Sequence, residues 1–310
     1  MNIENLLRET LSDMADEERP PSPDRFLRPR ERRPRRRGLA LVAATAVAAM
    51  VVGSTLVIQQ ISARPPGDTL PRPAASLQAG ATVNVAAGMR LSQLFKELSR
   101  LTGRPVAEFE RAAKDGTALG LPSYAGRTLE GFVFPGAYEF SPAASPAEIL
   151  RPMVARFEAA AEAAGLADGA RRAGRTPLEI VTIASIVQAE AGRDEDMAKI
   201  SRVIHNRLNR KMHLAVDSTV LYGLNKYGVE ATHKDVRSPT PYNTYRRLGL
   251  PPGPIGSPGA EAIRAALHPA RGTWLYYVAT DPKKRVIKFA TTESERAALI
   301  EEYRKNLKGR

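Results

Sequence analysis

Glu190 closes the run Thr-Pro-Leu-Glu-Ile-Val-Thr-Ile-Ala-Ser-Ile-Val-Gln-Ala-Glu, residues 176–190, and its setting is the one that most favours chemistry. Ile183, Ile186 and Val187 precede it by seven, four and three residues, which on a helix puts them on its own face. Burial among such neighbours disfavours a charged carboxylate and raises its pKa. A carboxyl still protonated near neutral pH can act as a general acid. The same spacing also fits a solvated helix end or a carboxylate paired with a basic residue. Glu179 has a different reading. Thr176, Pro177 and Glu179 have the types and spacing of an N-cap, N1 and N3, a capping box in which the Thr hydroxyl and the Glu carboxylate each take an orphan amide.

Other polar residues carry two readings each. Asp217 is either a second carboxylate for a hydrolytic pair or the cap of an element beginning near Thr219. Tyr242, Asn243 and Tyr245 offer phenol and amide groups suited to sugar hydroxyls and acetamido groups, or they brace the loop that follows them. Glu130, before a Gly turn, is either structural or part of a cleft. The four His (205, 213, 233, 268) have no metal-ligand spacing, and cysteine is absent, which excludes disulfides, thiol catalysis and cysteine-based metal sites.

The elements that must position these groups read as a mixture of helices and short strands, an α+β class. Thr82–Val85 alternates as a strand, and helices are expected over Leu91–Leu101 and Val106–Lys114. Phe132–Phe134 reads as a short strand with a turn at Pro135-Gly136. Helices follow over Pro146–Gly165, the Glu190 segment, Asp196–Arg210 and Thr219–Leu224. Ser238–Gly259, dense in Pro and Gly, reads as a long shaped loop. A helix over Glu261–Leu267, paired strands over Trp274–Ala279 and Val286–Ala290, and a closing helix over Glu293–Leu307 complete the chain.

Residues 38–58 hold no charge and are long enough to span a bilayer, for which about 20 residues suffice at about 1.5 Å rise each. Seven Arg and one Glu crowd Arg28–Arg37 before them. Positive charge marks the cytoplasmic side, so the sequence predicts a cytoplasmic, disordered segment 1–37, a single-pass helix 38–58, a Pro-rich linker 59–80 and an extracytoplasmic remainder. A cleaved signal peptide is the alternative reading, with Ile61-Ser62-Ala63 a poor cleavage site. Of the net +13, only +2 belongs to residues 1–37. A basic surface outside the membrane suits an anionic wall polymer or peptide carboxylates and does not call for nucleic acid.

From Leu129 onward the chain resembles the MltG (YceG-like) family of membrane-anchored endolytic murein transglycosylases. The stretches that carry the resemblance are LEGFVFPGAY (129–138), IASIVQAE (183–190), VIHNRL (203–208), DSTVLYG (217–223), TPYNTY (240–245), GLPPGPI (249–255), ALHPA (266–270) and LYYV (275–278). Residues 81–125 look like that family's small LysM-like subdomain, with 126–310 as its catalytic domain. The resemblance implies cleavage of the bond between N-acetylmuramic acid and N-acetylglucosamine in nascent glycan strands, giving 1,6-anhydro ends and limiting strand length. It implies no cofactor or metal, and partners among peptidoglycan synthases and the elongation or division machinery. The family's catalytic acid falls on Glu190. The motif's first acidic position is Gln188 here, so Glu190 must serve as acid and then base, and Gln188 is left as a substrate-binding candidate with Glu130, Asp217, Tyr242, Asn243 and Tyr245. Residues 214–217, Leu-Ala-Val-Asp, depart from the family's Leu-Gln-Ser-Asp pattern, so no amide contact from position 215 is carried over. A muramidase using Asp217 and a non-catalytic glycan-binding scaffold are the rival readings.

Overall fold

The helix that carries Glu190 is the axis of the protein. In the computed structural model, which describes residues 80–308 apart from 127 and 229, it runs Pro177–Glu190, opened by the expected capping box between Thr176 and Glu179. Every residue from Ile180 to Val187 is buried, so the helix is enclosed on all sides and has no single apolar stripe. Each of its Ile and Val side chains contributes about 1.5–3 kcal/mol by leaving water. Its neighbours are the helices Asp194–Asn209 and Ala260–Leu267, with Leu166–Arg172 and Asp217–Gly223 at its flanks. Leu166–Arg172 has no counterpart among the sequence expectations. It follows Pro146–Ala163 after a left-handed Gly165 and buries only Leu166, Gly169 and Ala170.

We label the strands β1 (Ala81–Val85), β2 (Gly136–Phe140), β3 (Tyr276–Asp281) and β4 (Val286–Ala290). They form two separate antiparallel pairs. β1 pairs with β2 from Ala81–Phe140 to Val85–Gly136, and β3 pairs with β4 around a bulge at Ala279–Asp281. The strand expected at Phe132–Phe134 is displaced: pairing starts at Gly136, where a turn is expected. Phe132 and Val133 are consecutive and both fully buried, a pattern that a half-exposed strand cannot hold. Their segment bonds within a turn and to a helix instead, Phe132 N–H donating to Leu129 O at 3.0 Å and Phe134 N–H to Met153 O at 3.2 Å. Because β2 lies beyond residue 125, the small sheet ties 81–85 to the chain that follows 126.

The described residues fall in one compact unit. Residues 238–259 contain neither helix nor strand, as expected. The segments 1–37 and 38–58 and the linker up to residue 79 lie outside the described residues. Among the described residues no helix is long and apolar enough to cross a membrane.

Candidate active site

Glu190 is the last residue of its helix, and Ala191 leaves in extended conformation. The carboxyl is half-buried at a cleft of about 480 Å³ shared with Asp217, Tyr245, Tyr277, Arg207 and Arg296. Burial is the main cause that raises its pKa, and the nearby Asp217 charge adds to it. The carbonyl-rich end of the helix works in the same direction. Two groups oppose them. Tyr277 OH donates to Glu190 Oε2 at 3.0 Å, and the Ser218 hydroxyl and amide lie beside the carboxyl and favour its ionised form. The Ser218 hydroxyl is otherwise buried without a partner of good geometry. Among the described residues no basic side chain forms an ion pair with Glu190.

Arg207 lies on the cleft but is occupied by backbone. Its Nε donates to Leu275 O and its Nη1 to Leu214 O, both at 2.6 Å, with a longer bond to His213 O at 3.3 Å. It therefore clamps the start of β3 against the 213–216 segment. That segment contains Ala215 at φ 48, a left-handed conformation an alanine adopts at a cost of about 1–2 kcal/mol. Ala215 N–H is held by Thr244 O at 3.1 Å, and Val216 N–H by Thr244 Oγ1 at 3.0 Å.

Asp217 opens the helix Asp217–Gly223 but makes no capping bond to it. Its Oδ1 accepts from Tyr245 OH at 2.5 Å and its Oδ2 from Ala231 N–H at 3.0 Å. Of the expected site residues, Glu190, Asp217 and Tyr245 therefore share one cleft.

The other four do not line it. Asn243 is fully buried, donating to Val236 O and Ser238 O and accepting from Tyr245 N–H, which makes it the brace of the Tyr245 loop. Tyr242 packs against the ring of Tyr222 at 4.7 Å. Gln188 Oε1 accepts from Gly259 N–H at 3.0 Å, fastening the end of the Pro/Gly loop. Glu130 is buried at the start of the helix Leu91–Thr102, accepting from Leu91 N–H at 3.2 Å and from Tyr222 OH at 3.1 Å. Burial pushes its pKa up to about 7 against the pull of these bonds and of Arg90.

Tyr277, Arg207, Arg296 and Glu230 are polar cleft residues that sequence reasoning did not single out, and Ser218, beside the Glu190 carboxyl, is another it missed. Tyr277 was legible in part: adjacent tyrosines in a strand face opposite sides, so one of Tyr276 and Tyr277 had to face inward. A slightly larger hollow of about 520 Å³, near Tyr124 and Leu166, carries its carboxylates Glu158, Glu162 and Asp168 on an exposed rim, and Glu190 takes no part in it.

The endolytic murein transglycosylase of Bacillus subtilis is 36% identical over 152 residues, 49% of this chain and 42% of that protein. The protein of that name from Streptococcus pneumoniae is 32% identical over 156 residues, 49% of this chain and 28% of its own length. The matched stretch thus spans less than half the length of these relatives. The crystal structure of a yceG-like protein from Listeria monocytogenes superposes with a TM-score of 0.64 at 28% identity, covering 71% of this chain and 76% of that one. The model of the YceG-like family matches residues 58–302, most of the chain. The chain belongs to the YceG-like family.

Proposed function

We propose that the protein is a lytic transglycosylase that cuts peptidoglycan glycan strands internally. The observation that carries this reading is the Glu190 carboxyl: half-buried, without an ion pair among the described residues, open to a cleft and held by a phenol. The names of the Bacillus and Streptococcus relatives support the same substrate. In the proposed reaction Glu190 gives its proton to the glycosidic oxygen as the bond to the muramic anomeric carbon breaks. The resulting carboxylate takes the proton of the same sugar's 6-hydroxyl as that oxygen closes onto the anomeric carbon. No water enters, and one carboxyl serves twice.

Asp217 sits on the same cleft, which is the arrangement a hydrolase with two carboxylates needs. Both of its oxygens already accept hydrogen bonds, which leaves it better placed as a fixed negative charge than as a base for water. Gln188, Glu130, Tyr242 and Asn243 act, on this reading, by shaping the walls from behind. The anchor at 38–58, the LysM-like unit at 81–125, the catalytic domain at 126–310 and partnership with peptidoglycan synthases complete the proposal. The charge asymmetry about residues 38–58 supports the anchor.

The test is to digest purified glycan strands with the full chain and weigh the products. Anhydro ends, lighter than reducing ends by one water, support the transglycosylase. Reducing ends support the muramidase, and no cleavage supports a binding scaffold. Glu190→Gln is expected to lose at least about a hundredfold in rate, the usual worth of a general acid. A variant that cuts at the normal rate sinks the assignment.

A further inference from the structure

We infer that Tyr277 is a positioning residue that fixes which oxygen of Glu190 carries the catalytic proton. The inference rests on the reading of Glu190 as acid and base given above. Tyr277 OH donates to Oε2, so in the acid form Oε2 is the accepting oxygen and the proton sits on Oε1. That proton leaves for the glycosidic oxygen in the first step and is replaced, on the same atom, by the 6-hydroxyl proton in the second. The phenol keeps its own proton throughout. Burial and the adjoining Glu190 charge push Tyr277 well above the ordinary tyrosine pKa, so it remains a donor across the working range.

The phenol is placed by its strand and not by the bond it makes. Tyr277 pairs with Phe289 across the hairpin, and their rings lie 6.4 Å apart. Phe289 in turn packs on Trp274 at 5.6 Å, and Arg207 holds Leu275 O at the strand's start. A donor fixed before substrate arrives costs no reorganisation during the reaction. Its effect on acidity can be separated from its neighbours. Glu190 is faced by Asp217 and Ser218 from the helix Asp217–Gly223, Tyr245 from the loop and Tyr277 from β3, while Arg207, Arg296 and Glu230 complete the charged lining. Of these, Tyr277 and Ser218 are the bonds that favour the ionised carboxyl. A carboxyl raised by burial alone would hold its proton too tightly to give it readily to the leaving oxygen, although its carboxylate would retake one well. The phenol eases the first step by stabilising the carboxylate that step creates.

The experiment compares the full-length protein with Tyr277→Phe, and with Tyr276→Phe as a neighbour that loses only a hydroxyl. Cleavage of glycan strands is followed as a function of pH, and Glu190 is titrated by side-chain carboxyl NMR. Tyr277→Phe is expected to keep the fold and KM, to lower kcat about tenfold, and to move the alkaline limb of the profile and the Glu190 titration up by about one pH unit, the worth of a hydrogen bond to a charged group. Tyr276→Phe leaves both unchanged. A Tyr277→Phe protein whose profile and titration superpose on the parent's overturns the inference while the role of Glu190 stands. If the parent does not cut, or cuts as well with Glu190→Gln, the proposed function fails instead and takes the catalytic inference with it.

Discussion

Tyr245 OH closes on Asp217 Oδ1 at 2.5 Å, and this bond fixes a negative charge beside Glu190. Asp217 is one of the causes that raise the Glu190 pKa, because two carboxylates in one cleft resist ionising together. Asp217→Asn can keep the Tyr245 bond while removing the charge. The acid then ionises at lower pH, and the alkaline limb of the cleavage profile moves down by about one pH unit at a partly screened separation. Products keep their anhydro ends. Loss of all cleavage at every pH would favour the hydrolase in which Asp217 takes part directly.

Glu130 makes the opposite kind of prediction, one about stability. Its folded pKa of about 7 lies above the ordinary 4.5, so the folded state holds the proton more tightly than the unfolded chain. Stability therefore falls as pH rises from about 4.5 to about 7 and stays lower above that. Glu130→Gln can still accept from Leu91 N–H and Tyr222 OH without burying a charge. It should be up to about 3 kcal/mol more stable than the parent at pH 8, with the difference vanishing near pH 4, as read by denaturant unfolding at both values. A difference that does not grow with pH contradicts this account.

Asn243→Ala separates bracing from sugar binding. It strands Val236 O, Ser238 O and Tyr245 N–H, and is expected to cost about 2–4 kcal/mol in unfolding free energy. A variant of unchanged stability but raised KM would return Asn243 to the sugar cleft.

Gly131→Ala probes the seat of the Pro/Gly loop. Gly131 has φ +87, and a Cβ there would collide with Pro254 Cβ. Strain and overpacking together should destabilise the protein by about 2–4 kcal/mol in a denaturant titration. Parent-like stability would mean that the loop yields easily at Pro254.

The Glu190 helix was fully legible in the sequence, because a capping box and an apolar run are local signals: the donors and acceptors at Thr176 and Glu179 lie three residues apart. The irregular course of 238–259 was legible for a similar reason, since Pro and Gly act on the backbone where they stand. The strand at 136–140 was misplaced to 132–134 because Phe132 and Val133 owe their burial to helices packed around them and not to a pleat. The carboxylate and the upward push of burial on its pKa were legible; the groups that tune it were not. They are Tyr277, 87 residues along the chain, and Asp217 and Ser218 from another helix. Gln188, Tyr242 and Asn243 have the types of sugar-binding groups, yet packing turned them to Gly259, Tyr222 and backbone carbonyls. Residue type and local spacing thus determined that an acid ends this helix. Only the tertiary structure decided which charges, phenols and amides surround it, because those groups meet through burial that no single segment encodes.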